Sequence, residues 1–90
     1  MMKLNVTQAD IDRGQKESCT SCPVARAFGR MYPLHYEVTT VPRFTNISFT
    51  DGSRICVEHP AQVRNFIDDF DHGLTVQPFT VICPDYEALP

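Results

Sequence analysis

The most distinctive motif of the sequence is a pair of cysteines separated by two residues, Cys19 and Cys22, with Pro23 directly after it. At this spacing both thiolates can reach one tetrahedral zinc ion. Cys56 and His59 repeat the two-residue gap. Together these four side chains would form a Cys3His site. One hypothesis is therefore that the protein is a small zinc-binding module.

Two other interpretations of the Cys19–Cys22 pair stay open. A C-x-x-C pair at a helix N-terminus supports redox chemistry because the helix dipole lowers a thiol pKa. In such proteins the first cysteine starts the helix, whereas here the second one does. In the structural interpretation both thiols are reduced, as in a bacterial cytosol, and Ser21 or Cys22 caps a helix that begins at Pro23. We expect this structural role, with no resident metal or other cofactor.

A set of basic residues surrounds the start of the same helix. Arg26 and Arg30 are four residues apart and therefore share one helix face, and Arg13 and Lys16 come shortly before it. Guanidinium groups near a helix N-terminus can bind an anion. A protein that sequesters a phosphorylated nucleotide signal is therefore the alternative function. The competing interpretation is a solvated basic surface.

A cluster of acidic residues marks the end of a second long helix. Asp68, Asp69 and Asp71 fall in its last turn, together with His72. Carboxylates oppose the helix dipole at this end, at a cost of about 0.3–1 kcal/mol each. A placement that opposes local preference hints at a use, such as docking a partner protein, although a tolerated acidic surface explains it too. These four residues are the candidate protein-binding site.

Side chains suited to catalysis are not grouped in the sequence. His35, His59 and His72 fall in three different predicted elements, and neither a Ser-His-Asp arrangement nor a phosphate-binding glycine loop is recognisable. The net charge of −3 argues against a nucleic-acid partner. No apolar run approaches the roughly 18 residues that a membrane span needs. We expect a non-enzymatic protein without a membrane partner.

Three helices are predicted from start and stop signals. Thr7 and Asp10 form a capping box for a short helix over residues 8–13. A second helix spans residues 23–31, where apolar residues recur every three or four positions. The third begins at Pro60 and ends before Gly73.

Strand patterns fill most of the remaining chain, at about residues 4–6, 36–41, 45–50, 54–57 and 74–83. A three-residue loop, Asp51 to Ser53, would pair Phe49 with Ile55 and Ile47 with Val57, on one apolar face. The predicted core consists of large apolar residues from helices and strands: Val24, Phe28, Met31, Ile47, Phe49, Ile55, Val57, Val63, Phe66, Ile67, Phe70 and Val81.

The length of 90 residues accommodates one domain. We predict a single small α+β domain over residues 1–90, in which a mostly antiparallel sheet of about four to five strands packs against two main helices, with one short N-terminal helix. The tail over residues 84–90 is predicted to be frayed.

Two segments carry a resemblance to a known group of proteins. They are the C-x-x-C-P-x-A-x-A segment from Cys19 to Ala27 and the F-I-x-x-F-D-x-G-x-x-V-x-P-F segment from Phe66 to Phe79. With Ile11 to Gly14, they cover about half the chain. The sequence resembles a group of short uncharacterised proteins of tailed bacteriophages and prophages. The resemblance implies an accessory protein of the bacterial cytoplasm during infection and carries over no catalytic residue. The expected function is binding and inhibition of a host protein, such as a defence or replication component.

Overall fold

The structure, a computed structural model, describes residues 2–89. In this part of the chain, two antiparallel sheets and three helices form an α+β domain. The elements are, in order, β1 (Met2–Val6), α1 (Gln8–Arg13), α2 (Pro23–Met31), β2 (His35–Thr40), β3 (Phe44–Phe49), β4 (Arg54–Glu58), α3 (Ala61–Asp71), β5 (Phe79–Cys83) and β6 (Glu87–Leu89). One sheet pairs β1 with β5, and the other has the order β2-β3-β4-β6. The α+β class is confirmed. Within residues 2–89, none of the helices has the length and apolar composition that a membrane span requires.

All three helices begin and end near their sequence signals. The capping box of α1 is present, because Thr7 Oγ1 accepts from the Asp10 amide at 3.2 Å and Asp10 Oδ2 accepts from the Thr7 amide at 2.9 Å. Cys22 is the N-cap of α2, and its Sγ accepts from the Ala25 amide at 3.4 Å. Pro60 precedes α3, and Gly73 follows it with a φ of +77°, the left-handed conformation that glycine adopts without strain.

The β3–β4 hairpin has a three-residue loop, but the loop lies one position earlier than the sequence predicts. Ile47 pairs with Ile55 rather than with Val57, and Phe49 lies opposite Ser53 rather than Ile55. Such loops end in a left-handed residue, and Gly52, with a φ of +90°, takes that position. The register prediction was therefore wrong by two residues in pairing. The four apolar side chains keep the predicted face because a shift of two preserves the alternation.

Two further expectations about the sheets are corrected. The single sheet is in fact two, because β1 pairs over its whole length with β5 and leaves residues 74–78 without a partner strand. Pro78, which has no amide hydrogen, separates this segment from β5. The tail was expected to be frayed, but residues 87–89 form β6 and pair with β4. This pairing satisfies the backbone of a β4 edge that would otherwise face solvent.

The hydrophobic core lies between the helices and the inner faces of the sheets. Nine of the predicted core residues are buried: Val24, Phe28, Ile47, Ile55, Val57, Val63, Phe66, Ile67 and Phe70. Met31, Phe49 and Val81 are partly buried and pack against this core. Leu4, Val6 and Val38 are also buried, although the predicted core did not include them. Four polar or charged residues are buried as well: Asp10, Thr40, Thr45 and His59.

Candidate functional site

His59, a proposed metal ligand, is instead committed to the core. Its ring lies 6.0 Å from the Phe28 ring in a stacked arrangement. Nδ1 donates to the Pro42 carbonyl at 3.0 Å, which leaves Nε2 to accept from the Thr45 hydroxyl at 2.7 Å. Burial lowers the pKa of His59, and the nearby Arg64 adds to this effect, while the Pro42 carbonyl opposes it. Both ring nitrogens are occupied, so the imidazole has no lone pair left for a metal.

The three cysteines of the proposed metal set lie in different environments. Cys19 is exposed, and its carbonyl accepts from the Thr40 amide at 2.6 Å. Cys22 is buried as the N-cap of α2, and burial raises the pKa of its thiol. Cys56 lies half-buried on the strand face opposite Ile55 and Val57, and burial raises the pKa of its thiol. Nowhere in residues 2–89 do three His, Cys, Asp or Glu side chains converge on a point that could hold a metal ion.

Arg30 does not lie free for an anion, because its guanidinium group binds the carboxylate of Asp10. Nη1 and Nη2 donate to the two Asp10 oxygens at 2.8 Å each. Burial would raise the pKa of Asp10, but the hydrogen bonds from Arg30 and Thr7 outweigh it and hold that pKa below its usual value. Arg26 lies beside the same carboxylate, with Nε 3.8 Å from Oδ1 and without a hydrogen-bond partner. Two cations therefore share one buried carboxylate.

The other two basic residues lie apart from this pair. Arg13 is exposed in the last turn of α1. Lys16 extends over the end of α3, where its Nζ is 3.1 Å from the position that a Cβ on Gly73 would occupy. An ammonium group in this position interacts favourably with the negative end of the α3 dipole. The structure thus divides the four predicted anion-binding residues between different places.

The acidic end of α3 partly serves the fold itself. Asp71 Oδ1 accepts from the Glu17 amide at 2.9 Å, where Glu17 has a φ of +54°. His72 Nδ1 donates to the Asp68 carbonyl at 2.7 Å and lies 3.4 Å from the Asp68 carboxylate, and these contacts raise its pKa. Asp69 is exposed. The sequence identified this cluster, but not the use of Asp71 to hold the loop before α2.

A cleft between α2 and β2 is a further candidate site, which the sequence analysis did not predict. It has a volume of about 560 Å³ and is lined by Thr20, Ala25, Arg26, Gly29, Arg30, His35, Tyr36, Glu37 and Val38. Gly29 lets the helix approach β2, since a Cβ there would be 3.4 Å from His35 Cε1. At its strand side the cleft meets the open edge of the four-stranded sheet, where β2 is the terminal strand.

Large exposed side chains flank this open edge. Leu34 and Tyr36 are 76% and 75% exposed, the highest values among the large hydrophobic residues of the described chain. From the sequence, such an apolar pair can be recognised as a contact site only when its strand is known to lie at the edge of a sheet. Strand order depends on pairings across the chain, which local patterns do not specify.

One pair of side chains has the composition of a nucleophile and a base. Thr45 Oγ1 lies 2.7 Å from His59 Nε2, but the two residues are 0% and 1% exposed. A substrate cannot reach a hydroxyl that the core covers on every side. The pair therefore serves the packing of the domain.

No protein-family model matches the chain, and no curated protein or solved structure matches it either. A functional assignment therefore depends on the residues of the chain itself.

Proposed function

We propose that the protein is a small, non-enzymatic accessory protein of the bacteriophage type that acts in the cytoplasm of an infected bacterium. It binds a host protein, such as a defence or replication component, and inhibits it. The contact surface is the open edge of β2 together with Leu34 and Tyr36. We name this surface the β2 edge surface.

The observation that carries this proposal is the exposure of Leu34 and Tyr36 beside an unpaired strand edge. Exposed apolar side chains grouped together mark contact sites more often than isolated ones do. An open edge offers main-chain donors and acceptors, to which a segment of another protein can add as a further strand. The β2 edge surface combines both features within residues 34–38.

Other candidate surfaces are less favourable for binding. A phosphorylated nucleotide would bring its negative charge next to Asp10, which already neutralises Arg30. The zinc hypothesis is disfavoured because His59 uses both nitrogens within the core. At the acidic end of α3, Asp71 holds Glu17. On the β2 edge surface, the exposed side chains of Leu34 and Tyr36 carry no such internal task.

Site-specific photo-cross-linking in bacterial cells tests the proposal. A photoreactive phenylalanine analogue replaces Tyr36 in one protein and Tyr86 in a control, since Tyr86 is an aromatic residue that is also 53% exposed. A third protein carries the analogue in place of Asp69, in the acidic cluster. We expect one host protein to be cross-linked from position 36 and not from the other two positions.

The captured protein is then purified and titrated with the wild type and with a Leu34→Ser/Tyr36→Ser variant. A loss of affinity of about tenfold or more is expected, the equivalent of about 1.4 kcal/mol. Leu74→Ser, at a loop position that is 57% exposed, is the matched control and should bind normally. A partner cross-linked from position 69 alone would contradict the assignment of the surface, and the absence of any specific adduct would contradict the function.

A further inference from the structure

The strand β5 has an open edge that faces away from β1. In an antiparallel pair, alternate residues direct both main-chain polar groups to the same side. The Asn5 carbonyl accepts from Arg30 Nη2 of α2 at 2.9 Å, so Asn5 directs its groups away from β5. Its partner Thr80 therefore directs its amide and carbonyl away from β1, and so does Ile82 two residues later. Besides β1, no segment within residues 2–89 forms a main-chain hydrogen bond with Thr80 or Ile82.

The helices leave room beside this edge. Phe79, Val81 and Cys83 form the inner face of β5, and the centroid of the Phe79 ring lies 4.8 Å from that of Phe66 in α3. The helix α3 therefore packs against the inner face of the strand rather than along its edge. On the outer face Ile82 is 53% exposed, and a cleft of about 650 Å³ borders the strand at Phe79.

The chain around β5 carries no charge. Residues 73–84 contain no Asp, Glu, Lys or Arg, and β5 is rich in β-branched and aromatic residues, which favour strands. The two edge strands of the four-stranded sheet each carry a carboxylate, Glu37 in β2 and Glu87 in β6. Pairing either of these strands with its own copy would bring like charges close together, whereas β5 can pair with itself without such repulsion.

The sequence of β5 is complementary to itself in the antiparallel direction. A two-fold axis at Val81 places Thr80 opposite Ile82 of the second copy. Because both residues offer their main-chain groups to the open side, each such pair can exchange both of its N–H···O bonds. The two side chains also share the outer face of the strand, where β-branched cross-strand pairs stabilise a sheet.

The charged residues nearest this edge stay apart from their copies. Asp69 lines the cleft at the start of β5, and antiparallel pairing places the two starts at opposite ends of the interface. Lys3 of β1 lies opposite Ile82. The two copies of Lys3 are separated by three strand spacings, about 14 Å in total, which exceeds the Debye length of about 8 Å.

We infer that the open edge of β5 pairs with that of a second copy of the chain, in an antiparallel dimer with two-fold symmetry. The two small sheets then form one sheet of the order β1-β5-β5-β1. Because Arg30 of α2 occupies the β1 edge at the Asn5 carbonyl, the pairing uses the remaining edge of each sheet and closes at two copies. The β2 edge surface belongs to the other sheet and takes no part in this contact.

Sedimentation equilibrium of the purified protein from about 20 µM to about 1 mM tests for the dimer, since a small interface gives weak association. We expect the average mass to rise with concentration towards twice that of one chain. Ile82→Lys places two ammonium groups at diagonal positions across the interface and should raise the dissociation constant about tenfold or more. Leu34→Lys adds the same charge on the β2 edge surface, where Leu34 is 76% exposed, and should dimerise like the wild type.

Hydrogen exchange tests the backbone pairing in the unaltered protein, so it does not depend on whether the Ile82→Lys variant folds. The amides of Thr80 and Ile82 should exchange more slowly at about 1 mM than at about 20 µM, because they are bonded only in the dimer. Val81 pairs with Leu4 and directs its amide to β1. Its exchange rate should therefore be the same at both concentrations.

The outcomes decide the inference separately from the proposed function. The mass of a single chain at every concentration would overturn the dimer, and so would a folded Ile82→Lys protein that dimerises like the wild type. Slower exchange at Tyr36 and Val38, with unchanged rates at Thr80 and Ile82, would place the contact on β2 and overturn it too. Capture of a host protein from position 36 does not require the dimer, so the proposed function depends on its own experiment.

Discussion

Asp10 partly neutralises the positive charge that Arg26 and Arg30 bring to the α2–β2 cleft. Its carboxylate is 1% exposed and accepts two hydrogen bonds from Arg30 and one from the Thr7 amide. Asp10→Asn removes the negative charge and leaves Arg30 with one acceptor oxygen fewer, which should lower the free energy of unfolding by about 2 kcal/mol in urea titrations. Asp69→Asn, at an exposed position, should change it by no more than about 0.5 kcal/mol. Equal effects of the two substitutions would show that the Asp10 contacts do not stabilise the fold.

His59 should make the stability of the domain depend on pH. Because burial lowers its pKa in the folded state, the unfolded chain binds a proton that the folded chain excludes when the pH falls below the ordinary value of 6.5. The free energy of unfolding should therefore decrease as the pH is lowered from 6.5 towards the folded-state pKa. His72 has the opposite sign: its raised pKa favours the folded state below 6.5, and this contribution is lost as the pH rises through the folded-state value.

Urea titrations between pH 7 and pH 5 separate the two histidines. His59→Gln should flatten the decrease in stability on acidification, even though it also lowers stability at pH 7, because a buried hydrogen-bonded ring is lost. His72→Gln should make the decrease slightly steeper. A His59→Gln protein with the same pH dependence as the wild type would mean that the imidazole is protonated equally in the folded and unfolded states.

At the scale of elements, the loop before α2 depends on the last turn of α3. Asp71 accepts from the Glu17 amide, so Asp71→Ala should lower the free energy of unfolding by about 1 kcal/mol relative to Asp69→Ala. The two aspartates lie in the same turn and oppose the same dipole, so their difference isolates the hydrogen bond. Hydrogen exchange at the Glu17 amide should be faster in Asp71→Ala only. Equal exchange in both variants would show that Asp71 does not hold the loop.

The contacts that could be predicted from the sequence are those between residues close together in the chain. The Thr7–Asp10 capping box, the Pro23 helix start and the Gly73 helix end involve neighbours within a few residues, and all are present. The contact of Arg30 with Asp10 spans 20 residues, and that of Glu17 with Asp71 spans 54.

Strand order is a property of the whole molecule, and it too depends on contacts between residues that are far apart in the chain. The order β2-β3-β4-β6 places β2 at one edge of its sheet and β6 at the other. No local pattern reports this, since Tyr36 to Val38 have the composition of any strand. The candidate site depends on that edge. For this reason the sequence analysis recognised Arg26 and Arg30 but did not predict the cleft that they form with β2.

The central claim is that a partner protein binds along the β2 edge surface, and hydrogen exchange of the whole protein tests it most directly. Exchange rates of backbone amides are compared between the free protein and its complex with the protein cross-linked from position 36. The account predicts slower exchange at Tyr36 and Val38 in the complex, with unchanged rates in β6, the opposite edge of the same sheet. Protection confined to residues 68–72, with unchanged rates at Tyr36 and Val38, would contradict it.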